Sequence, residues 1–180
     1  MERMLVSTNI IKNREVVADD WSVLRLNEGD SADSVSIPAG KVIVPFSVWN
    51  ARRAQLLERA EVGVWLGSDA QADVVKDDLA HFSLVAVDFP KFTDGRGYSI
   101  AYNLRTRLGY NGELRAIGDV LRDQLFYMQR VGFNAFAVRA DKDINDALKG
   151  LTDFSEKYQT SWDEKTPLFR RVQRQAVSQD

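Results

Sequence analysis

The chain has 180 residues, 44% of them hydrophobic and 28% charged, with 11 glycines and 4 prolines. That is the make-up of a globular domain able to bury roughly 70% of its unfolded surface. Cysteine is absent and histidine occurs once, at His81, which excludes disulfides, thiolate nucleophiles, iron–sulfur clusters and Cys- or multi-His-ligated transition metals. A formal net charge of −2 offers no global basic field to nucleic acid or an anionic membrane.

Met1 to Thr8 lacks the apolar core of a secretion signal, and no apolar run reaches the ~18 residues of a membrane span. A cytoplasmic protein with neither nucleic-acid nor membrane partner is expected. Residues 1–40 read as an N-terminal β element and an acidic loop. The pairs Leu5-Val6, Ile10-Ile11, Val16-Val17 and Trp21 to Leu26 alternate with polar residues as in a small antiparallel element, and Asn27 to Ser34 is turn-forming.

From Lys41 to about residue 159 the pattern is α/β. Val42 to Pro45 is a strand, followed by a helix carrying Trp49, Leu56, Leu57 and Ala60. Val62 to Gly67 is a second strand, and Ser68-Asp69-Ala70-Gln71 fits a capping box that opens a helix with Val74, Val75 and Leu79 inward. Leu84 to Phe89 is a third strand, and Ile100, Ala101, Leu104 and Leu108 share one helical face that Gly109 ends. Leu114 to Gly118 is a fourth strand, with Asp119 expected as the cap of a helix bearing Leu121, Leu125 and Met128 and stopped by Gly132. Phe126 and Tyr127 stand off that stripe. Ala135 to Val138 is a fifth strand, and Ile144, Ala147, Leu148, Leu151 and Tyr158 mark a last helix capped by Asp141 or Asp143.

Five βα units in series imply a parallel sheet with right-handed crossovers. They are too few for an eight-stranded barrel, so an open sheet or a partial barrel is expected. Residues 160–180, with Arg170, Arg171 and Arg174 beside Leu168 and Phe169, read as a flexible basic tail, or else a short partner-docking helix.

Ligands of parallel α/β sheets bind beyond the carboxyl ends of the strands, where helix N-termini present free N–H groups. There the chain offers Ser68 and Asp69, then Asp88, Lys91, Thr93, Asp94 and Arg96, then Asp119 and Arg122, and last Arg139, Asp141 and Lys142. Two glycines, Gly95 and Gly97, flank Arg96 at a helix entrance. They make an anion cradle with Lys91 and Arg96 one reading, and a tight turn capped by Asp94 the other. Arg122 and Arg139 are further anion holders. Asp88, Asp94 and Asp119 are the candidate acids or bases, and Asp88 with Asp119 would form a carboxylate pair if the fold brings them together. No phosphate loop, dinucleotide fingerprint, flavin motif or Ser/His/Asp triad is present, no metal site is expected, and no cofactor is recognisable. His81 falls at the amino end of its strand, away from this edge.

The stretches Phe89-Pro90-Lys91-Phe92-Thr93-Asp94-Gly95-Arg96-Gly97-Tyr98-Ser99, Gly112 to Leu125 and Gly132-Phe133 resemble a bacterial domain-of-unknown-function family. Its members are often encoded beside sulfite reductase and sulfate-assimilation enzymes, and it sometimes carries an oxidoreductase label for sulfite reduction. The likeness is specific over residues 89–133 and looser from about 41 to 140. This chain has Asn134 where Asp is common. The resemblance implies a setting in sulfur assimilation and cysteine biosynthesis. The expected function is therefore an accessory protein of sulfite or sulfate reduction that binds a small anion or docks on a reductase. The alternative is an enzyme acting on a small anionic substrate, with Asp88, Asp94 or Asp119 as acid or base and Arg96, Arg122 or Arg139 holding the anion.

Overall fold

A computed structural model describes residues 8–154 and 161–166. The expected positions Tyr158, Leu168, Phe169, Arg170, Arg171 and Arg174 lie outside the described residues. The fold is mixed α/β, built on one curled, mostly parallel sheet in the order β2-β1-β8-β7-β6-β5-β4-β3. Its strands are β1 (Thr8–Lys12), β2 (Glu15–Asp19), β3 (Ser22–Val23), β4 (Val42–Pro45), β5 (Val62–Leu66), β6 (Leu84–Phe89), β7 (Glu113–Gly118) and β8 (Ala135–Phe136). The helices are α1 (Phe46–Ala51), α2 (Arg53–Leu57), α3 (Arg96–Thr106), α4 (Arg122–Val131) and α5 (Ile144–Lys149).

Strands β3 to β8 lie side by side in chain order and run parallel. Right-handed crossovers between sequential neighbours put every helix on the same face of a sheet. The larger core forms there, with Val44, Val64, Val85, Val87, Phe89, Leu114, Ala116 and Phe136 meeting Trp49, Leu56, Ile100, Leu104, Leu125 and Met128. The opposite face carries a second apolar cluster of Ile43, Leu84, Ala86 and Ile117, with Trp21, Trp65 and Ala137 packed against it. Burial on both sides explains why β6 reads as an apolar run broken only by Asp88, with all six residues buried.

The edge strands β2 and β3 are consecutive in sequence, joined by Asp20 and Trp21 alone. A flat sheet of this width would hold its edges about 34 Å apart, whereas the joint spans at most about 11 Å. The sheet must therefore curl, giving the half-barrel form of the expected fold. The N-terminal element is antiparallel only in part: β1 and β2 form a hairpin with positive φ at Asn13 and Arg14, whereas β3, in the expected Trp21 to Leu26 stretch, pairs parallel with β4. It is also part of the main sheet, because β1 pairs antiparallel with β8.

Ion pairs, buried at Arg115 and more open at Lys41, fasten this joint to the sheet. Arg115, 2% exposed, donates from Nη1 to both oxygens of Asp19 at 3.1 Å and from Nε to Glu113 at 2.9 Å. Lys12 meets the other oxygen of Glu113 at 2.8 Å, and Lys41 meets Asp20 at 2.9 Å.

Several sequence expectations are corrected, the first being the helix after β4, which is split into α1 and α2 at Arg52 and stops at Leu57, short of Ala60. The segment after β5 forms two short 3₁₀ turns, Ala72–Val75 and Leu79–His81, instead of an α-helix. Asp78 between them accepts from Trp49 Nε1 at 3.0 Å and from Arg53 at 2.7 and 2.9 Å, tertiary contacts of the kind that override local helix propensity. The fifth strand is reduced to Ala135–Phe136, and the last α-helix ends at Lys149. Asp143 is its cap, accepting from Asn145 and Asp146 N–H at 2.8 and 3.2 Å.

Candidate functional site

The parallel strands all point their carboxyl ends toward one rim of the curled sheet, where this architecture gathers its ligand-binding side chains. At β6 and β7 the register sets Asp88 opposite Ile117 and Phe89 opposite Gly118. Gly118 has φ +92°, and a Cβ there would stand 2.5 Å from Phe89 O and 2.6 Å from Asp88 Oδ1. Only glycine fits so close an approach in that conformation. The chain then turns, and Asp119 N–H donates to Phe89 O at 2.7 Å.

This turn aims two carboxylates at one concavity of about 410 Å³, lined by Arg25, Asp88, Phe89, Pro90, Gly118, Asp119 and Arg139. Arg25, just beyond β3, reaches across the curl and donates to Asp88 Oδ1 at 2.8 Å and Oδ2 at 3.3 Å. Its guanidinium also lies over the Trp65 ring, 5.3 Å from the centroid. Arg139, which follows β8, donates to Asp119 Oδ1 at 2.8 Å and to both oxygens of Asp141 at 2.6 and 2.8 Å. Both guanidinium groups are partly open, with side chains 49% and 40% exposed.

The electrostatics follow from these pairs. The hydrogen bond from Arg139 holds the Asp119 carboxyl below the usual carboxylate range, with help from Phe92 N–H. The same guanidinium holds Asp141 down to about 2, and the two carboxylates raise Arg139 further above its ordinary value. Asp119 therefore stays charged near neutrality, with Oδ1 occupied by Arg139 and Oδ2 by Phe92 N–H at 3.0 Å. Such a group is a poor proton acceptor and a good clamp. It is also not the expected helix cap. Leu121 occupies that position, with its N–H donating to the Gln124 side chain at 3.4 Å.

The other candidates are placed elsewhere. Arg96 sits at the start of α3 in a fork with Asp94 at 2.8 and 3.0 Å and reaches Ser68 Oγ at 3.0 Å. Asp94 accepts Arg96 N–H as well, and its carboxyl is held well below the ordinary range by Arg96. Gly95 is open, but a Cβ on Gly97 would meet the Phe89 ring at 2.7 Å. Gly97 thus serves helix-to-strand packing and gives no ligand access. A separate groove of about 440 Å³ runs past Ser68, Arg96, Ser99, Asn103 and Arg107. Arg122 is tied to Asp146 at 2.9 Å and Asp153 at 3.1 Å. Lys91 lies exposed on the loop after β6. His81 packs beside Trp49, with ring centroids 6.4 Å apart. Phe126 is buried, whereas Tyr127 is exposed.

Of the residues expected from sequence, the fold brings Asp88, Asp119 and Arg139 together and leaves Asp94, Arg96 and Arg122 outside that mouth. Sequence reading missed Arg25, whose partner is 63 residues away. Its one local signal was an arginine interrupting an otherwise apolar run, Val23-Leu24-Arg25-Leu26. It also missed buried Arg115, although Glu113 and Arg115 alternate with apolar neighbours as residues on one strand face do.

The model of a family described as a bacterial protein of unknown function, DUF934, matches residues 63–169. The chain belongs to this family. The match spans β5 onward and includes Asp88, Asp119 and Arg139 of the mouth, while Arg25 precedes it. No curated protein matches the chain. Among the described residues, no cluster of three or more His, Asp or Glu side chains is suited to a metal ion, and no helix is long and apolar enough to cross a membrane.

Proposed function

We infer that this DUF934 protein binds a small anion at the mouth of its curled sheet, between Arg25 and Arg139. The observation that carries the reading is the convergence of these two pre-oriented, half-open guanidinium groups on one concavity at the carboxyl ends of the strands. A guanidinium already fixed by a carboxylate or an aromatic face loses little entropy on taking an oxyanion, which would use the N–H groups left over once Asp88 and Asp141 have taken the two forks. The carboxylates hold the arginines, which favours a binding or accessory role over acid–base turnover. The resemblance to proteins encoded beside sulfite reductase makes sulfite and sulfate the first anions to test, in a setting of sulfur assimilation with a reductase as partner.

The test is a thermal-shift titration with sulfite, sulfate and phosphate on the wild type, Arg139→Gln and Arg96→Gln. A ligand at a hundredfold excess over its dissociation constant stabilises by about 2.7 kcal/mol, or roughly 5–11 °C for a chain of this size. The wild type and Arg96→Gln should show this ligand-induced rise and Arg139→Gln should lose it. A rise that only Arg96→Gln abolishes would move the site to the Ser68 groove.

A further inference from the structure

Arg25 reaches the mouth from just beyond β3, a strand of two residues. Its backbone is anchored from the neighbouring strands. Leu24 N–H donates to Ile43 O on β4 at 2.9 Å, and Leu24 C=O accepts from Trp65 Nε1 on β5 at 2.9 Å. That carbonyl belongs to the planar peptide that enters Arg25, so the indole fixes the plane from which the arginine departs. An indole N–H that finds a carbonyl needs no explanation by itself. Trp65 differs because the same ring also lies against the far end of the next side chain, 5.3 Å from the Arg25 guanidinium carbon. The ring is itself held, half-buried, on the inner cluster of Ile43, Leu84, Ala86 and Ile117.

The manner of holding matters for an anion site. Guanidinium N–H groups point outward in one plane. At Arg139 carboxylates engage Nε, Nη1 and Nη2. At Arg25 a carboxylate takes one N–H from each Nη, and the second anchor is a ring on the flat face, which uses no N–H and adds no negative charge. The Nε–H and one N–H of each Nη are left, and among the described residues nothing accepts from Nε.

Resting on the anion reading above, we propose that Trp65 is the positioning residue of that site. It grips Arg25 by its backbone and by its guanidinium face, so that the remaining N–H edge meets the anion already oriented.

Isothermal titration of the full chain with sulfite, sulfate and phosphate tests this, together with the arginine Nε signals of the ¹⁵N-labelled chain. Trp65→Leu removes both contacts and should weaken each anion that the wild type binds by roughly three- to thirtyfold, the range of one cation–π contact. Trp65→Phe keeps a ring face, loses the donor, and carries the test should the leucine variant not fold. It should fall between, weaker than the wild type by roughly threefold, the value of one hydrogen bond. At saturating anion the Arg139 Nε signal should still move in Trp65→Leu while the Arg25 Nε signal does not, a selectivity that general loosening of the fold would not produce. Wild-type affinity in either variant, or equal loss of the two arginine responses, would overturn this inference while leaving the anion site standing. Absence of binding by all three anions to the wild type would remove the anion reading and this inference with it.

Discussion

Replacing Gly118 by Ala tests how the mouth is built. At φ +92° an L-residue is strained by about 1–2 kcal/mol. The added methyl would stand 2.5 Å from Phe89 O, and that oxygen cannot turn away freely because it accepts Asp119 N–H at 2.7 Å. Disturbing that bond adds about 1 kcal/mol. The total of about 2–3 kcal/mol corresponds to a melting temperature lower by roughly 4–12 °C. Two further glycines separate the contributions. Gly29, at φ +88° with nothing within 4 Å of its would-be Cβ, should cost only the conformational strain of about 1–2 kcal/mol when changed to Ala. Gly95, at φ −82° and equally open, should change stability by no more than about 0.5 kcal/mol. Chemical denaturation of the three variants gives the numbers. Gly118→Ala as stable as Gly29→Ala would refute the close approach of β6 and β7 on which the site geometry depends.

Arg115→Met should cost about 3–5 kcal/mol, since it strands the buried Asp19 carboxylate and leaves Glu113 with Lys12 alone; adding Asp19→Asn should restore part of the loss, and a single-variant cost below about 1 kcal/mol would contradict the role given to this cluster. Asp141, held at about 2 by Arg139, has a folded value below the ordinary ~3.9. Its contribution is therefore full above about pH 4 and fades as pH falls toward 2. A carboxyl NMR titration should show that low midpoint, the stability gap between wild type and Asp141→Asn should close across the same window, and a midpoint near 3.9 would dismiss the pair.

Much of the sheet was legible because β4 to β6 are buried on both faces and read as short apolar runs, Asp88 apart. The α3 stripe of Ile100, Ala101 and Leu104 was equally plain, since one side of that helix packs on β6. The half-barrel curl was legible only as the alternative to a flat open sheet, because it follows from the short Asp20-Trp21 joint between two edge strands, and strand order is a long-range property that periodicity does not encode. The same reason hid Arg25. Its role needs the curl that carries it across to Asp88. Asp119 misled in a different way. An Asp between a strand and a helix has the local signature of a cap, and tertiary partners, Arg139 and Phe92 N–H, took both of its oxygens instead. The segment after β5 had helical spacing at Val74, Val75 and Leu79, but the pull of Trp49 and Arg53 on Asp78 overrode it.

The most direct test of the account is an amide chemical-shift map of the ¹⁵N-labelled chain titrated with sulfite. Binding between Arg25 and Arg139 predicts that the largest changes fall on Gly118, Asp119 and Phe92 and on the Nε signals of those two arginines. Changes centred on Ser68, Arg96 and Ser99, or a spectrum unmoved at saturating sulfite, would contradict an anion site at the mouth of the sheet.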